Sequence, residues 1–143
     1  LAQSPTPDEA APPSLNQQFN SLSRDRRAAR DAADRLTLLG EQKARDQQYR
    51  EAVETWLQAL DIYREIGDSP AQEQVYEYLG LTYATLARFD VAEDAFRRQL
   101  AIARYNEHFQ GQIYGLNNLG GLLLKRGNPT AAQAVFEEAL TIA

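Results

Sequence analysis

Tyr76-Glu77-Tyr78-Leu79-Gly80-Leu81-Thr82-Tyr83, followed nine residues later by Ala92-Glu93-Asp94-Ala95-Phe96, decides how this chain folds. Tyr76, Leu79 and Tyr83 recur at spacings of three and four, which places them on one face of a helix. Ala92 and Phe96 lie four apart and do the same for a second helix. The pattern then returns forty residues to either side. Five columns are identical in three copies: Leu39/Leu79/Leu119, Gly40/Gly80/Gly120, Ala52/Ala92/Ala132, Leu60/Leu100/Leu140 and Ile62/Ile102/Ile142. Two more keep their character, Leu36/Tyr76/Leu116 and Trp56/Phe96/Phe136. A fixed period of this length, with no gap, is the mark of a repeat array.

Each copy divides into two helical stretches. Polar turns are expected at Gln47-Gln48, Arg88-Phe89-Asp90 and Gly127-Asn128-Pro129, the last with Asn128 as cap and Pro129 in the first turn. Gly67-Asp68-Ser69-Pro70 stops one helix and caps the next, with Ser69 read as the cap. A glycine inside a helix costs about 1 kcal/mol relative to alanine. Three at one register therefore imply close approach of the paired helix, with the alanine column opposite and the aromatic filling the space beyond.

These residues resemble the tetratricopeptide repeat family. Its first-helix signature, a large apolar residue followed by x-x-Leu-Gly-x-x-Tyr, stands as Tyr76-x-x-Leu79-Gly80-x-x-Tyr83, as Leu116-x-x-Leu119-Gly120-x-x-Leu123 and as Leu36-x-x-Leu39-Gly40-x-x-Lys43. Its second-helix Ala-x-x-x-Phe stands as Ala52/Trp56, Ala92/Phe96 and Ala132/Phe136. The forty-residue period exceeds the usual one of about 34 and matches the long-repeat variety. Arg64 and Arg104 occupy the place of the family's helix-ending proline, so the second helices should run on another turn. The resemblance implies an all-α, right-handed helical-hairpin solenoid of three repeats, about residues 31–69, 70–109 and 110–143.

Working outward, residues 1–13 form a Pro-rich extended tail and residues 14–30 an extra helical segment. Ser14-x-x-Gln17 has the capping-box form. Leu15, Phe19, Leu22, Ala29, Leu36 and Leu39 follow on one face, with Arg26 interrupting it and with Ser21 and Ser23 as weak points where the helix would break. Leu1-Ala2-Gln3-Ser4 reads like the end of a signal-peptide cleavage site, which makes export to a periplasm or equivalent lumen the expectation and the cytoplasm the alternative. At the other end, the last repeat lacks a polar capping helix. Val135, Phe136, Leu140 and Ile142 are the expected end-face contacts, covered by further repeats, a partner or a second copy.

Composition closes off most chemistry. The 143 residues contain no cysteine, which excludes disulfide scaffolds, thiol nucleophiles and cysteine-ligated metals. His108, the one histidine, is read as a connector with no paired carboxylate nearby. The serines precede the repeats or cap a helix, and the glycines mark packing and turns, so neither a nucleophile nor a phosphate loop is expected. Glu93-Asp94 and Glu137-Glu138 are neighbours on a helix and splay apart. No enzyme activity, cofactor or metal is expected, and no apolar run approaches the roughly 20 residues that span a bilayer.

The net charge is −5 and unevenly spread: residues 15–45 carry +3 and residues 46–143 carry −6. Arg24, Arg26, Arg27, Arg30 and Arg35 are interleaved with Asp25, Asp31 and Asp34, and the four-residue spacings Arg27/Asp31, Arg30/Asp34 and Asp31/Arg35 suit helix-surface salt bridges. With three acids and no aromatics among the arginines, nucleic-acid or anionic-membrane contact is disfavoured.

In the family, the first helices line a concave groove. The resemblance places there Asp34, Thr37, Glu41, Ala44 and Arg45, then Gln74, Glu77, Tyr78, Leu81 and Thr85, then Tyr114, Asn117, Asn118, Gly121 and Lys125. Asn118 stands where long-repeat relatives grip a peptide backbone, though Leu38 and Tyr78 at the matching positions leave no asparagine ladder. A non-catalytic scaffold holding a protein or peptide is the first expectation. The alternative is a structural subunit docked in a larger assembly, membrane-associated or not, through the uncapped C-terminal end and the N-terminal tail, with self-association through the uncapped repeat as a further option.

Overall fold

A computed structural model describes residues 11–143; the cleavage-site reading of residues 1–4 and the tail up to residue 10 lie outside the described residues. Among the described residues six helices follow one another: α1 (Leu15–Arg45), α2 (Tyr49–Ile66), α3 (Ser69–Thr85), α4 (Phe89–Tyr105), α5 (Phe109–Lys125) and α6 (Pro129–Ile142). No strand occurs among the described residues. Each helix packs on the next, most extensively within α1–α2, α3–α4 and α5–α6, and α3 also touches α5. The chain is thus an all-α helical-hairpin solenoid.

The five turns share one construction. The residue in the left-handed region is Gln47, Gly67, Ala87, Glu107 and Gly127 in succession, one every twenty residues. At each, that residue's amide donates to the carbonyl three residues back and the next amide to the carbonyl five before it, as in Ala87 to Ala84 (3.0 Å) and Arg88 to Tyr83 (2.9 Å). Orphan carbonyls at the helix ends are thereby satisfied. Two details differ from the sequence reading. The middle turn centres on Ala87, with Phe89 and Asp90 already inside α4, and Asp68 rather than Ser69 caps α3, accepting from the Ala71 amide at 3.2 Å. The Ser14/Gln17 capping box and the Asn128 cap form as expected.

Packing explains the glycine column. A Cβ on Gly80 would lie 2.4 Å from Cε1 of Phe96, and Gly40 and Gly120 meet Trp56 and Phe136 in the same way, at 2.3 and 2.5 Å. The aromatic ring therefore lies directly on the glycine instead of beyond it. Around these contacts sit the buried Ala52, Ala92, Ala132, Leu79 and Leu119.

Leu60 and Leu100 are buried beneath the next hairpin (3% and 5% exposed), while Leu140 in the same column is 74% exposed. Leu39 is exposed on the first hairpin where Leu79 and Leu119 are buried. The end-face residues Val135, Phe136 and Ile142 are half-buried.

α1 differs from its expectation in two respects. It runs unbroken through Ser21 and Ser23. Its arginines do not form the i,i+4 pairs: Arg30 Nε reaches Asp68 Oδ2 at 3.1 Å, Arg26 donates to the Ile66 carbonyl at 2.5 Å, and Asp34 accepts from the Tyr63 hydroxyl at 2.5 Å. Bridging to the end of α2 satisfies terminal groups that an intrahelical pair would leave open. Before this tether, Leu15, Phe19 and Leu22 stand exposed.

Candidate functional site

The hairpin packing decides which side chains of the first helices α1, α3 and α5 reach the surface. Thr37 does not. It is buried, its hydroxyl donating to the Ala33 carbonyl at 2.9 Å and lying 3.2 Å from the Tyr63 hydroxyl, while its carbonyl accepts from Trp56 Nε1 at 3.1 Å. It is a packing residue between α1 and α2, and its place among the groove residues is corrected. Tyr78 is half-buried, its ring stacked on Trp56 with centroids 5.3 Å apart, so it joins the first two hairpins. Its hydroxyl accepts from Gln74 Nε2 at 3.1 Å. Burial, then the neighbouring Glu41 carboxylate, push that phenol up to about 12.

Two hollows lie along the seam of α3 and α5. One, of about 350 Å³, is walled by Pro70, Glu73, Gln74, Glu77, His108, Gln110, Gly111 and Tyr114. The other, of about 210 Å³, is formed by Leu81, Ala84, Phe96, Asn117, Asn118, Gly121, Leu122 and Lys125. The predicted Gln74, Glu77 and Tyr114 thus converge on the first, and Leu81, Asn117, Asn118, Gly121 and Lys125 on the second. Glu41 and Arg45 of α1 line neither. Thr85 is exposed, its hydroxyl turned back to the Leu81 carbonyl at 3.0 Å.

Glu73 and His108 went unrecognised. Glu73 is buried, and its Oε1 lies 2.7 Å from His108 Nδ1 and 3.4 Å from Gln99 Nε2, which also donates to the Gly111 carbonyl at 3.0 Å. His108 is therefore more than a connector. It has a carboxylate partner 35 positions upstream, which only the stacking of hairpins brings near. The one available signal was the four-residue spacing of Glu73 and Glu77, which puts both on one helix face. Burial, and next the negative charge of Glu73, raise the Glu77 carboxyl above its ordinary range, opposed by His108.

Exposed amides and hydroxyls beside one hollow lined by carboxylates and an imidazole and another with apolar walls offer contacts to a polypeptide. Among the described residues no group of three His, Asp or Glu side chains is arranged to hold a metal ion. No described helix is long and apolar enough to cross a membrane. Stacked hairpins of this kind define a helical-repeat protein. Tetratricopeptide repeat models match residues 31–104 and residues 114–143, and the chain belongs to the tetratricopeptide repeat family. No curated protein matches it. The family is a class of protein–protein interaction modules.

Proposed function

We propose that the surface of α1, α3 and α5 holds an extended peptide or a partner helix, and that the chain acts as a non-catalytic scaffold. The observation that carries this reading is the presence of two hollows on the α3–α5 seam, one of them lined by Asn117, Asn118 and Lys125. The amide of Asn117 is exposed and offers donor and acceptor to a strand-like backbone. Lys125 supplies a cation for a carboxylate.

The test is Asn117→Ala combined with Lys125→Ala, two exposed positions whose loss leaves the core intact. Peptides selected from a random display library on the unmodified chain should bind this double variant about tenfold more weakly or worse. Equal binding would sink the groove reading. Tyr78→Ala is a poor probe, because it strips the stack on Trp56 and disturbs folding.

A second reading, docking in a larger assembly through the solenoid ends, draws on the exposure of Leu140 and of Leu15, Phe19 and Leu22. It predicts concentration-dependent association in sedimentation velocity that Leu140→Glu or Phe19→Glu removes. A monomer at every concentration would count against it.

A further inference from the structure

The junction between the first two hairpins holds a hollow of about 560 Å³ that shares no residue with the two on the α3–α5 seam. Its apolar wall is Val53 and Leu57 of α2 together with Tyr83 and Leu86 at the end of α3. Leu57 is 40% exposed, and Tyr83 and Leu86 are half-buried. Arg50, near the start of α2, and Arg88, in the turn before α4, complete the lining. Both are exposed, and among the described residues neither forms a salt bridge. Arg88 is positioned nonetheless, its guanidinium carbon 5.5 Å from the centroid of the Tyr83 ring. Glu54 lines the same hollow but pairs with neither arginine, so two cations stand against one carboxylate.

The repeat supplies its own comparison. Forty residues on, the columns of Arg50, Val53 and Leu86 hold Asp90, Glu93 and Arg126. There Arg126 spans the junction, its Nη2 2.5 Å from Asp90 Oδ1 and its Nη1 3.5 Å from Glu93 Oε1, and Arg97, in the column of Leu57, meets Glu93 Oε2 at 3.5 Å. The second junction thus matches its arginines with carboxylates of the chain. The first replaces those two carboxylates by an arginine and a valine, and the bridging arginine by a leucine. What remains is an apolar cleft with guanidinium groups beside it and no carboxylate bound to them.

We propose that this cleft is a second docking site, apart from the α3–α5 seam, for a partner peptide carrying an aspartate or glutamate next to a large apolar side chain. The carboxylate would meet the forks of Arg50 and Arg88, as Asp90 and Glu93 meet Arg126 in the second junction. The apolar side chain would lie against Val53, Leu57 and Leu86, which removes their surface from water.

The experiment pans a phage-displayed random heptapeptide library on the full chain carrying Asn117→Ala and Lys125→Ala, so that the seam is weakened and the cleft is read by itself. Selected peptides are resynthesised with acetylated and amidated ends, which leaves side chains as the only carboxylates. The expected consensus is an acid within two positions of a leucine, isoleucine or aromatic residue. Arg50→Gln combined with Arg88→Gln should lower affinity about tenfold, and Leu57→Gln should lower it separately. All three positions are exposed, and circular dichroism checks that the fold is kept. Changing the peptide's acid to its amide should weaken binding to the arginine pair and leave binding to the Arg50→Gln, Arg88→Gln variant unchanged. A consensus without an acid, equal binding by that variant, or no selected peptide would overturn the inference and leave the groove reading standing, since the seam residues are already removed. Decanoate that binds more tightly than the peptide would give the cleft to a fatty carboxylate. Self-association of the chain that is lost with the two arginines would give it to a second copy. Either result overturns the peptide assignment.

Discussion

Replacing Gly80 by alanine tests the packing that holds each hairpin together. The new Cβ would stand 2.4, 2.6 and 2.9 Å from Cε1, Cδ1 and Cζ of Phe96. Carbon atoms in contact settle at about 3.5 Å or more, so the gap is short by roughly 1 Å. Phe96 is 2% exposed and packed among Leu119, Leu122 and Leu123, so its ring has nowhere to swing. Overpacking of this kind costs about 1–3 kcal/mol. The buried ring puts Gly80→Ala near the top of that range. Alanine's better helix propensity returns about 1 kcal/mol, leaving a net loss of about 2 kcal/mol. Gly121→Ala is the matched control: it lies in α5 with nothing within 4 Å of the added methyl, so only the propensity gain of up to about 1 kcal/mol remains. Urea unfolding followed by far-ultraviolet circular dichroism should place the two variants on opposite sides of the parent. Phe96→Leu in the Gly80→Ala background should recover part of the loss through a coupling energy. Gly80→Ala at or above the parent's stability would refute the argument that the ring requires a bare Cα.

Ala87→Gly should stabilise the chain by about 1 kcal/mol, because Ala87 sits at φ 58° where an L side chain is strained; a lower urea midpoint would contradict this. Alkaline spectrophotometric titration should show Tyr63 and Tyr78 releasing their protons at about 12, Tyr63 held back chiefly by burial and by its hydrogen bond to Asp34. Both folded-state values lie above the ordinary phenol value of 10.0. The folded chain therefore keeps protons that the unfolded chain has released. Their contribution is intact below pH about 10 and is lost as pH rises towards 12. Simultaneous titration of every phenol near 10 in the folded chain would count against this.

Much of the fold was legible because it repeats. The Gly40/Gly80/Gly120 column and its aromatic partners carry the hairpin contact, and any residue whose neighbours are set by a short helical period could be placed from spacing alone. The turns were only half legible. Gly67 and Gly127 announce a left-handed residue, whereas Gln47, Ala87 and Glu107 take the same conformation under compulsion from the helices on either side. Charge was the least legible element. The four-residue pairs on α1 were plausible locally, yet Arg26 and Arg30 found partners at the α2–α3 junction, Ile66 at the end of α2 and Asp68 at the start of α3. Likewise Glu73 meets His108 across a hairpin boundary, a contact that neither residue's neighbours in sequence suggest. Thr37 was misplaced because the family pattern gives its register but not its hydrogen bonds to Trp56 and Tyr63, which bury it.

We place the partner on the α3–α5 seam. Heteronuclear NMR of the full chain, titrated with the tightest peptide from the display selection, tests it most directly. The amides of Gln74, Glu77, Tyr114, Asn117 and Asn118 should shift most, with the second helices undisturbed. Shifts concentrated instead on Arg97 and Arg98 of α4, or on Glu137 and Glu138 of α6, would contradict it.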